Sequence, residues 1–190
     1  MDCQPSNDGR GCIGYSDDTA SDVNYPNVRY TVPSNFSSFL QTHIDSSVKY
    51  FINAIGGGGV GTTHSPWYAR DNTGATVSFS KVDLGDDICG DFAPSSYINA
   101  PPDNHGCCQQ LTLTGGNLRL NTRVSYNASG DNSFNHCDIR WTVNHELGHS
   151  LGLGHTKNSS QTMYLHAVQI YSAQTYDKRG VSCIYENQNC

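Results

Sequence analysis

The chain has 190 residues, 11 Lys or Arg against 17 Asp or Glu, and a formal net charge of −6 at pH 7. This length can build one domain with a substantial core, so we expect a single domain over residues 1–190 and, by default, a monomer. The acidic balance, the absence of a Lys/Arg cluster and the lack of an apolar run that could span a bilayer argue against nucleic acid and membrane as partners.

The first predicted elements follow a polar segment. Residues 1–26 are rich in Gly, Asp and Ser and contain two cysteines, so we expect an irregular, disulfide-stapled segment. Alternation over Val28–Val32 predicts a strand. From Phe39 to Ile55, apolar residues recur every three or four positions, which predicts an amphipathic helix. Its apolar face comprises Leu40, Ile44, Val48, Phe51, Ile52 and Ile55.

A second strand is predicted over Thr76–Val82, followed by an irregular loop over residues 83–108 that carries three cysteines and no periodic pattern. The acidic side chains of this loop offer oxygen ligands for Ca²⁺, but their spacing lacks the EF-hand order, so a solvated acidic loop is favoured. These side chains are Asp83, Asp86, Asp87 and Asp91.

Two further strands are predicted over Gln110–Thr114 and Leu118–Val124, because each segment alternates apolar and polar residues. Gly115-Gly116-Asn117 between them is a hairpin turn signal. We therefore expect these two strands to pair with each other.

The strongest chemical signal is the pattern H-E-x-x-H-x-x-G-x-x-H over residues 145–155. His145 and His149 are four residues apart and share one face of a helix, for which Asp138 is a suitable N-cap. Gly152 lets the chain leave that helix, so that His155 can return as a third ligand. Three protein ligands with an open fourth position are typical of a catalytic zinc site.

These residues resemble the metzincin metalloproteases, most closely the matrixin type. Met163, in Gln161-Thr162-Met163-Tyr164, resembles the methionine turn of that family, and residues 177–185 resemble its closing helix. The resemblance implies an α+β, metzincin-like zinc protease domain. Its expected parts are a twisted mixed sheet, a packing helix, an active-site helix, a Met-turn and a C-terminal helix.

The resemblance also implies a function, a zinc-dependent endopeptidase that hydrolyses peptide bonds of protein substrates. One zinc ion would be held by His145, His149 and His155, with Glu146 as the general base for its water. Met163 would form a floor beneath the metal. An edge strand binds the substrate backbone in this family, and the resemblance assigns that role to Leu111, Thr112, Leu113 and Thr114.

Other functions and branches remain open at this stage. A secreted zinc-binding module with little or no proteolytic activity is the main alternative. A disulfide-rich structural protein with a chance motif is another. Among the metzincins, the astacin and pappalysin branches fit less well, because Leu165 replaces the astacin tyrosine and the segment between His155 and Met163 is short.

Eight cysteines without a C-x-x-C pair indicate four disulfides in an oxidising compartment, and hence a secreted protein. We expect two short terminal loops, closed by Cys3–Cys12 and Cys183–Cys190. The adjacent cysteines at 107 and 108 would then reach separate partners, Cys89 and Cys137, with a strained vicinal bridge as the alternative.

Three N-x-S triplets, at Asn35, Asn127 and Asn158, fit a secreted glycoprotein, although such triplets also arise freely in a chain rich in Asn and Ser. No signal peptide is present, and Met1 before Asp2 is interpreted as an added start on a mature form. A removed signal peptide and a zymogen propeptide are therefore expected.

Overall fold

The computed structural model describes residues 28–56, 68–70, 77–86, 88–95, 97–99, 111–113 and 115–186. Its strands and helices, numbered in chain order, are β1 (Val28–Thr31), α1 (Ser38–Gly56), β2 (Tyr68–Arg70), β3 (Val77–Val82), β4 (Gly90–Pro94), β5 (Tyr97–Asn99), β6 (Leu111–Leu113), β7 (Gly116–Asn121), β8 (Ser125–Asn127), β9 (His136–Asp138), α2 (Ile139–Ser150) and α3 (Thr175–Glu186).

A mixed five-stranded sheet organises the fold, with the strand order β2-β1-β3-β7-β4. The first four strands in this order pair in parallel, whereas β4 runs antiparallel to β7 at the edge of the sheet. β5 pairs with β6 antiparallel and β8 pairs with β9 in parallel, each pair forming a separate small sheet. The predicted α+β class with a mixed sheet is confirmed.

The core lies between the sheet and two helices, α1 and α2, which also pack against each other. The apolar face predicted for α1 is buried, except that Ile52 is only half-buried. Each large side chain removed from water here contributes about 2 kcal/mol of stability. The largest fully buried side chains include Ile44, Phe51, Ile55, Phe79, Leu118, Leu120, Ile139, Leu147 and Leu151.

The hairpin predicted around Gly115-Gly116-Asn117 is wrong. Gly116 and Asn117 lie within β7, which pairs with β3 and β4, whereas β6 pairs with β5. β7 begins directly after Gly115, whose φ of 139° is one that residues with a side chain rarely adopt. Leu111–Leu113 therefore lie outside the five-stranded sheet, and Thr114 lies outside the described residues.

The irregular loop predicted over residues 83–108 is also wrong in part, because it contains β4 and β5. Two of its acidic residues, Asp83 and Asp86, form ion pairs of 2.6 and 3.0 Å with the guanidinium of Arg123. The hydrogen bond from Arg123 lowers the pKa of Asp83. Asp91 pairs with Arg119, and Asp87 lies outside the described residues. Calcium binding by this loop, the less favoured of the two interpretations, stays untested.

A disulfide joins Cys89, directly before β4, to Cys137 in β9, with the two Cα atoms 5.7 Å apart. The expectation that these two cysteines reach Cys107 and Cys108 separately is therefore wrong. The physical reason is that β4 is the edge strand of the sheet and contacts α2. Cys89 directly precedes β4 and Cys137 lies just before α2, so this contact brings the two cysteines together. The expected terminal disulfides and the cysteines at 107 and 108 lie outside the described side chains.

None of the helices in the described ranges is both long and apolar enough to cross a membrane.

Candidate metal centre

Helix α2 presents the first two histidines of the motif on one face. The Asp138 carboxylate caps the helix by accepting a hydrogen bond from the Arg140 N–H at 2.8 Å, as predicted for its N-cap. One turn apart, the rings of His145 and His149 lie with their centroids 4.9 Å apart. Because the opposite side of α2 is buried in the core, these two imidazoles are directed away from it.

The third histidine returns to the same point because the chain turns sharply after α2. Gly152 has a φ of 88°, and the N–H groups of Gly152 and Leu153 donate to the carbonyls of His149 and Gly148, each at 2.9 Å. This is the Schellman arrangement that ends many helices. The His155 Nε2 then lies 3.0 Å from His145 Nε2 and 3.1 Å from His149 Nε2.

Backbone carbonyls orient two of these rings. His145 Nδ1 lies 2.9 Å from the Thr162 oxygen, and His149 Nδ1 lies 2.8 Å from the Leu153 oxygen. Since a carbonyl can only accept, each Nδ1 carries the proton, which leaves the Nε2 lone pair available to a metal. Burial, followed by the neighbouring His149, lowers the pKa of His145 well below its ordinary range, which favours the neutral form that a metal requires.

The spacing of the three ligand atoms fits a zinc ion. The ligand atoms of the three histidines all lie within 4.8 Å of one another. A tetrahedral ion with Zn–N bonds of about 2.1 Å holds its ligand atoms about 3.4 Å apart, close to the separations observed here. Among the described residues, the triad is the one cluster of His, Cys, Asp and Glu side chains with such spacing.

Glu146, next to the first histidine, is buried against the edge strand. Gly90 and Phe92 of β4 lie beside it: a Cβ on Gly90 would be 3.7 Å from the Glu146 Cγ, and the Phe92 N–H donates to the carboxylate. Burial raises the pKa of Glu146 to about 8, the charge of Asp91 adds to this, and the Phe92 hydrogen bond opposes it. Its Oε2 atom is buried without a hydrogen-bond partner among the described residues.

Below α2, a turn containing Met163 supports the centre. Met163 is 2 % exposed, and its sulfur lies under Gly148. Thr162, directly before it, forms three polar contacts that link separate parts of the chain. Its carbonyl accepts from His145, its hydroxyl donates to the Ser172 oxygen at 2.6 Å, and its N–H donates to Asp177 at 3.0 Å.

Asp177, in the first turn of α3, holds this turn in place through its carboxylate. Besides the Thr162 N–H, it accepts from the N–H groups of Met163 at 3.3 Å and Gln174 at 2.8 Å. Burial nevertheless raises the pKa of Asp177, and these hydrogen bonds oppose the shift. The closing helix predicted around Asp177 is present, from Thr175 to Glu186.

Sequence reasoning found the side chains of this centre but not their supports. The carbonyls of Leu153 and Thr162 carry no sequence signature, because every residue has one. The position of β4 beside Glu146 was also missed, since Gly90–Pro94 lacks the alternation that predicts a strand. A threonine directly before the turn methionine is a signal that could have directed attention to Thr162.

Four features of this structure together define the metzincin class of metalloproteases. They are a mixed sheet with one antiparallel edge strand, a helix bearing His145 and His149, a returning His155, and a methionine turn below them. A family model, that of the matrixins, matches residues 66–186. This match covers more than half of the chain, and the chain therefore belongs to the matrixin family. A search of curated proteins finds no match to it.

Membership of this family confirms the predicted resemblance. It also supports, at the level of the family, the function of a zinc metalloprotease, which is a hydrolase. The family also implies zinc as the metal, and the three histidines offer a site of the right spacing.

Proposed function

We propose that this chain is a zinc-dependent endopeptidase that cuts peptide bonds of protein substrates, with Glu146 as its general base. The observation that supports this most directly is that the Nε2 atoms of three histidines converge on one point. Backbone carbonyls orient two of these rings, and the helix that carries those two also carries a buried glutamate. We further propose that the chain is a single secreted catalytic domain acting as a monomer. The Cys89–Cys137 disulfide supports secretion, because such bonds persist in oxidising compartments.

His145, His149 and His155 would hold the zinc ion, and their three nitrogens leave one position for water or substrate. When bound, the ion would supply positive charge that lowers the pKa of a coordinated water, polarises the scissile carbonyl and favours the ionised form of Glu146. The buried sulfur of Met163 lies below the centre and is not one of the proposed ligands.

Glu146 would move the proton. Its Oε2 has no partner among the described residues, so this atom is available to accept a proton from the attacking water. Its pKa, raised by burial, suits a group that must take up a proton near neutral pH and later donate it to the leaving amine. The Phe92 N–H would help to orient the carboxylate during both transfers.

β4 is the strand that we propose for binding the substrate backbone. It lies at the edge of the sheet and contacts α2, so an extended peptide that adds to this edge would pass beside Glu146. The assignment of this role to Leu111–Thr114 remains untested. Leu111–Leu113 pair with β5 rather than with the sheet that carries β4.

The deciding experiment compares the zinc-loaded wild type with a Glu146→Gln variant on a denatured protein substrate. Gln can still accept from the Phe92 N–H but cannot take up a proton, so zinc content should match while cleavage falls by several orders of magnitude. A chelator should stop the wild type. If both proteins hold zinc and neither cuts any of a range of substrates, a zinc-binding module without proteolysis replaces this proposal. Equal cleavage by both would remove Glu146 from the mechanism.

A further inference from the structure

A concave site lies on the segment that joins His155 to the methionine turn and on the residues that follow Met163. It is a cavity of about 170 Å³ lined by Thr156, Lys157, Tyr164, Leu165 and His166. Thr156 and Tyr164 form a parallel bridge, and the Thr156 N–H donates to the Met163 oxygen at 2.8 Å. The cavity therefore begins one residue away from His155 and is held by backbone bonds to the turn below the metal.

Lys157 gives the lining of the cavity a positive charge. Its lining contains the Lys157 ammonium, the His166 imidazole and two hydroxyls, and it contains no carboxylate. Three arginines of the described chain, Arg119, Arg123 and Arg140, each pair with an aspartate. Across the described residues, no carboxylate lies within ion-pair distance of Lys157, which is solvent-exposed. In a chain of net charge −6, an unneutralised cation at a cavity attracts an anionic ligand.

We propose that this cavity binds an acidic side chain of the peptide substrate, at a position outside the pair that flanks the cut bond. The Lys157 ammonium and the hydroxyls of Thr156 and Tyr164 would donate to the carboxylate, and Leu165, 47 % exposed, would cover the methylene groups. The volume is large enough for one side chain. This inference rests on the proposed endopeptidase function, which supplies the peptide in the cleft.

Binding can be tested without catalysis. In the zinc-loaded Glu146→Gln protein, fluorescent peptides that carry one Glu, moved position by position, are compared with the same peptides carrying Gln. At one position, Glu should tighten binding by about two- to fivefold, and raising the salt concentration should reduce this gain. In the Lys157→Glu variant the preference should reverse in favour of a Lys-containing peptide. The matched control is Lys49→Glu, an exposed lysine on α1 with the same charge change, in which the preference should persist.

The same peptides, cleaved by the active protein, separate this inference from the proposed function. If the protein prefers Glu in binding but cuts none of the peptides, the proposed pocket for an acidic side chain is supported and the proposed endopeptidase function is rejected. If the peptides are cut with no Glu preference at any position, the pocket is overturned and the endopeptidase stands. A preference that survives Lys157→Glu, or the absence of peptide binding at every position, also overturns the pocket.

Discussion

The thioether of Met163 occupies the space that a side chain on Gly148 would need. A Cβ built on Gly148 would overlap the Met163 sulfur and lie 3.1 Å from its Cε. Gly148 lies between the proposed base, Glu146, and the second histidine, His149, so this contact sets the distance between the catalytic helix and the turn that supports it. The absence of one side chain thus determines how closely two parts of the metal centre approach.

Gly148→Ala should destabilise the protein and weaken zinc retention. At an exposed helical position, Gly→Ala raises the free energy of unfolding by up to about 1 kcal/mol. Overpacking a filled core lowers it by about 1–3 kcal/mol. We expect a lower Tm in thermal unfolding and faster loss of zinc to a chelator. Met163→Ala alone and the double variant Gly148→Ala/Met163→Ala provide the control, because Gly148→Ala should cost less stability when the sulfur is already absent, through coupling of the two sites. A higher Tm for Gly148→Ala would contradict this account.

Asp138 should make stability depend on acid pH. Its burial opposes ionisation, but the Arg140 guanidinium and the N–H groups of Arg140 and Gly130 outweigh burial and lower its pKa. A carboxyl with a lowered pKa in the folded state contributes stability above its ordinary value of 3.8, and this contribution is lost as the pH falls through the folded value. Because Asn is as good an N-cap as Asp, Asp138→Asn should remove only the charged part of these hydrogen bonds, at a cost of about 1 kcal/mol at pH 7.

The check is urea unfolding of the wild type and Asp138→Asn from pH 7 to pH 2.5, or to the lowest pH at which both fold. The difference in unfolding free energy should shrink below about pH 4. A difference that is constant with pH would show that charge is not the source of the effect.

Trp141 should report metal binding by fluorescence. Its ring centroid lies 4.9 Å from that of His145, one turn along α2, whereas the second tryptophan, Trp67, lies outside the described residues. Co²⁺, which can occupy sites built for zinc, should quench Trp141 on binding because its unfilled d shell accepts energy at short range. The Trp67→Phe variant should keep this quenching and Trp141→Phe should lose it. Quenching that remains in Trp141→Phe would place the ion elsewhere.

The glycosylation triplets should differ in use when the chain is expressed through a eukaryotic secretory pathway. The Asn127 Nδ2 donates to the Asp131 oxygen at 2.7 Å and to the Cys137 oxygen at 3.2 Å, so a glycan there would displace at least one of these bonds. Asn158 is exposed, and only its Oδ1 is engaged, by Ser160. Peptide mass spectrometry should find glycan at Asn158 and none at Asn127. Glycan on Asn127 in folded protein would refute this reading, and Asn158→Gln supplies the matched control.

The helices and the cluster of three histidines were predictable because their determinants are local. The apolar repeat of α1 and the cap, spacing and exit glycine of α2 each act within a few residues, and the elements observed at Ser38–Gly56 and Ile139–Ser150 follow them closely. The same is true of His155, whose return depends on Gly152. These local determinants place the three histidines, and the distant Thr162 carbonyl then orients the first of them.

Strand partners were not predictable, because they depend on distant residues. β7 alternates as predicted, yet its neighbours are chosen by packing across the sheet and not by the turn beside it. β4 was missed for a physical reason. Gly90 is needed where a Cβ would lie 2.9 Å from both the Arg119 oxygen and the Thr142 methyl, and Pro94 is tolerated in an edge strand. Gly90 and Pro94 interrupt the alternation that would predict a strand, and both are residues that suit the position of β4.

The hydrogen bonds that the Thr162 N–H donates to Asp177 and that the Thr162 carbonyl accepts from His145 have a consequence for assembly of the protein. Thermodynamic reciprocity requires that whatever α3 contributes to holding the metal, the metal returns in holding α3. An incompletely folded chain, with α3 not yet docked, would have its first ligand less firmly oriented and would retain zinc poorly. Zinc retention should therefore increase as α3 docks, so that metal binding and the completion of folding favour each other.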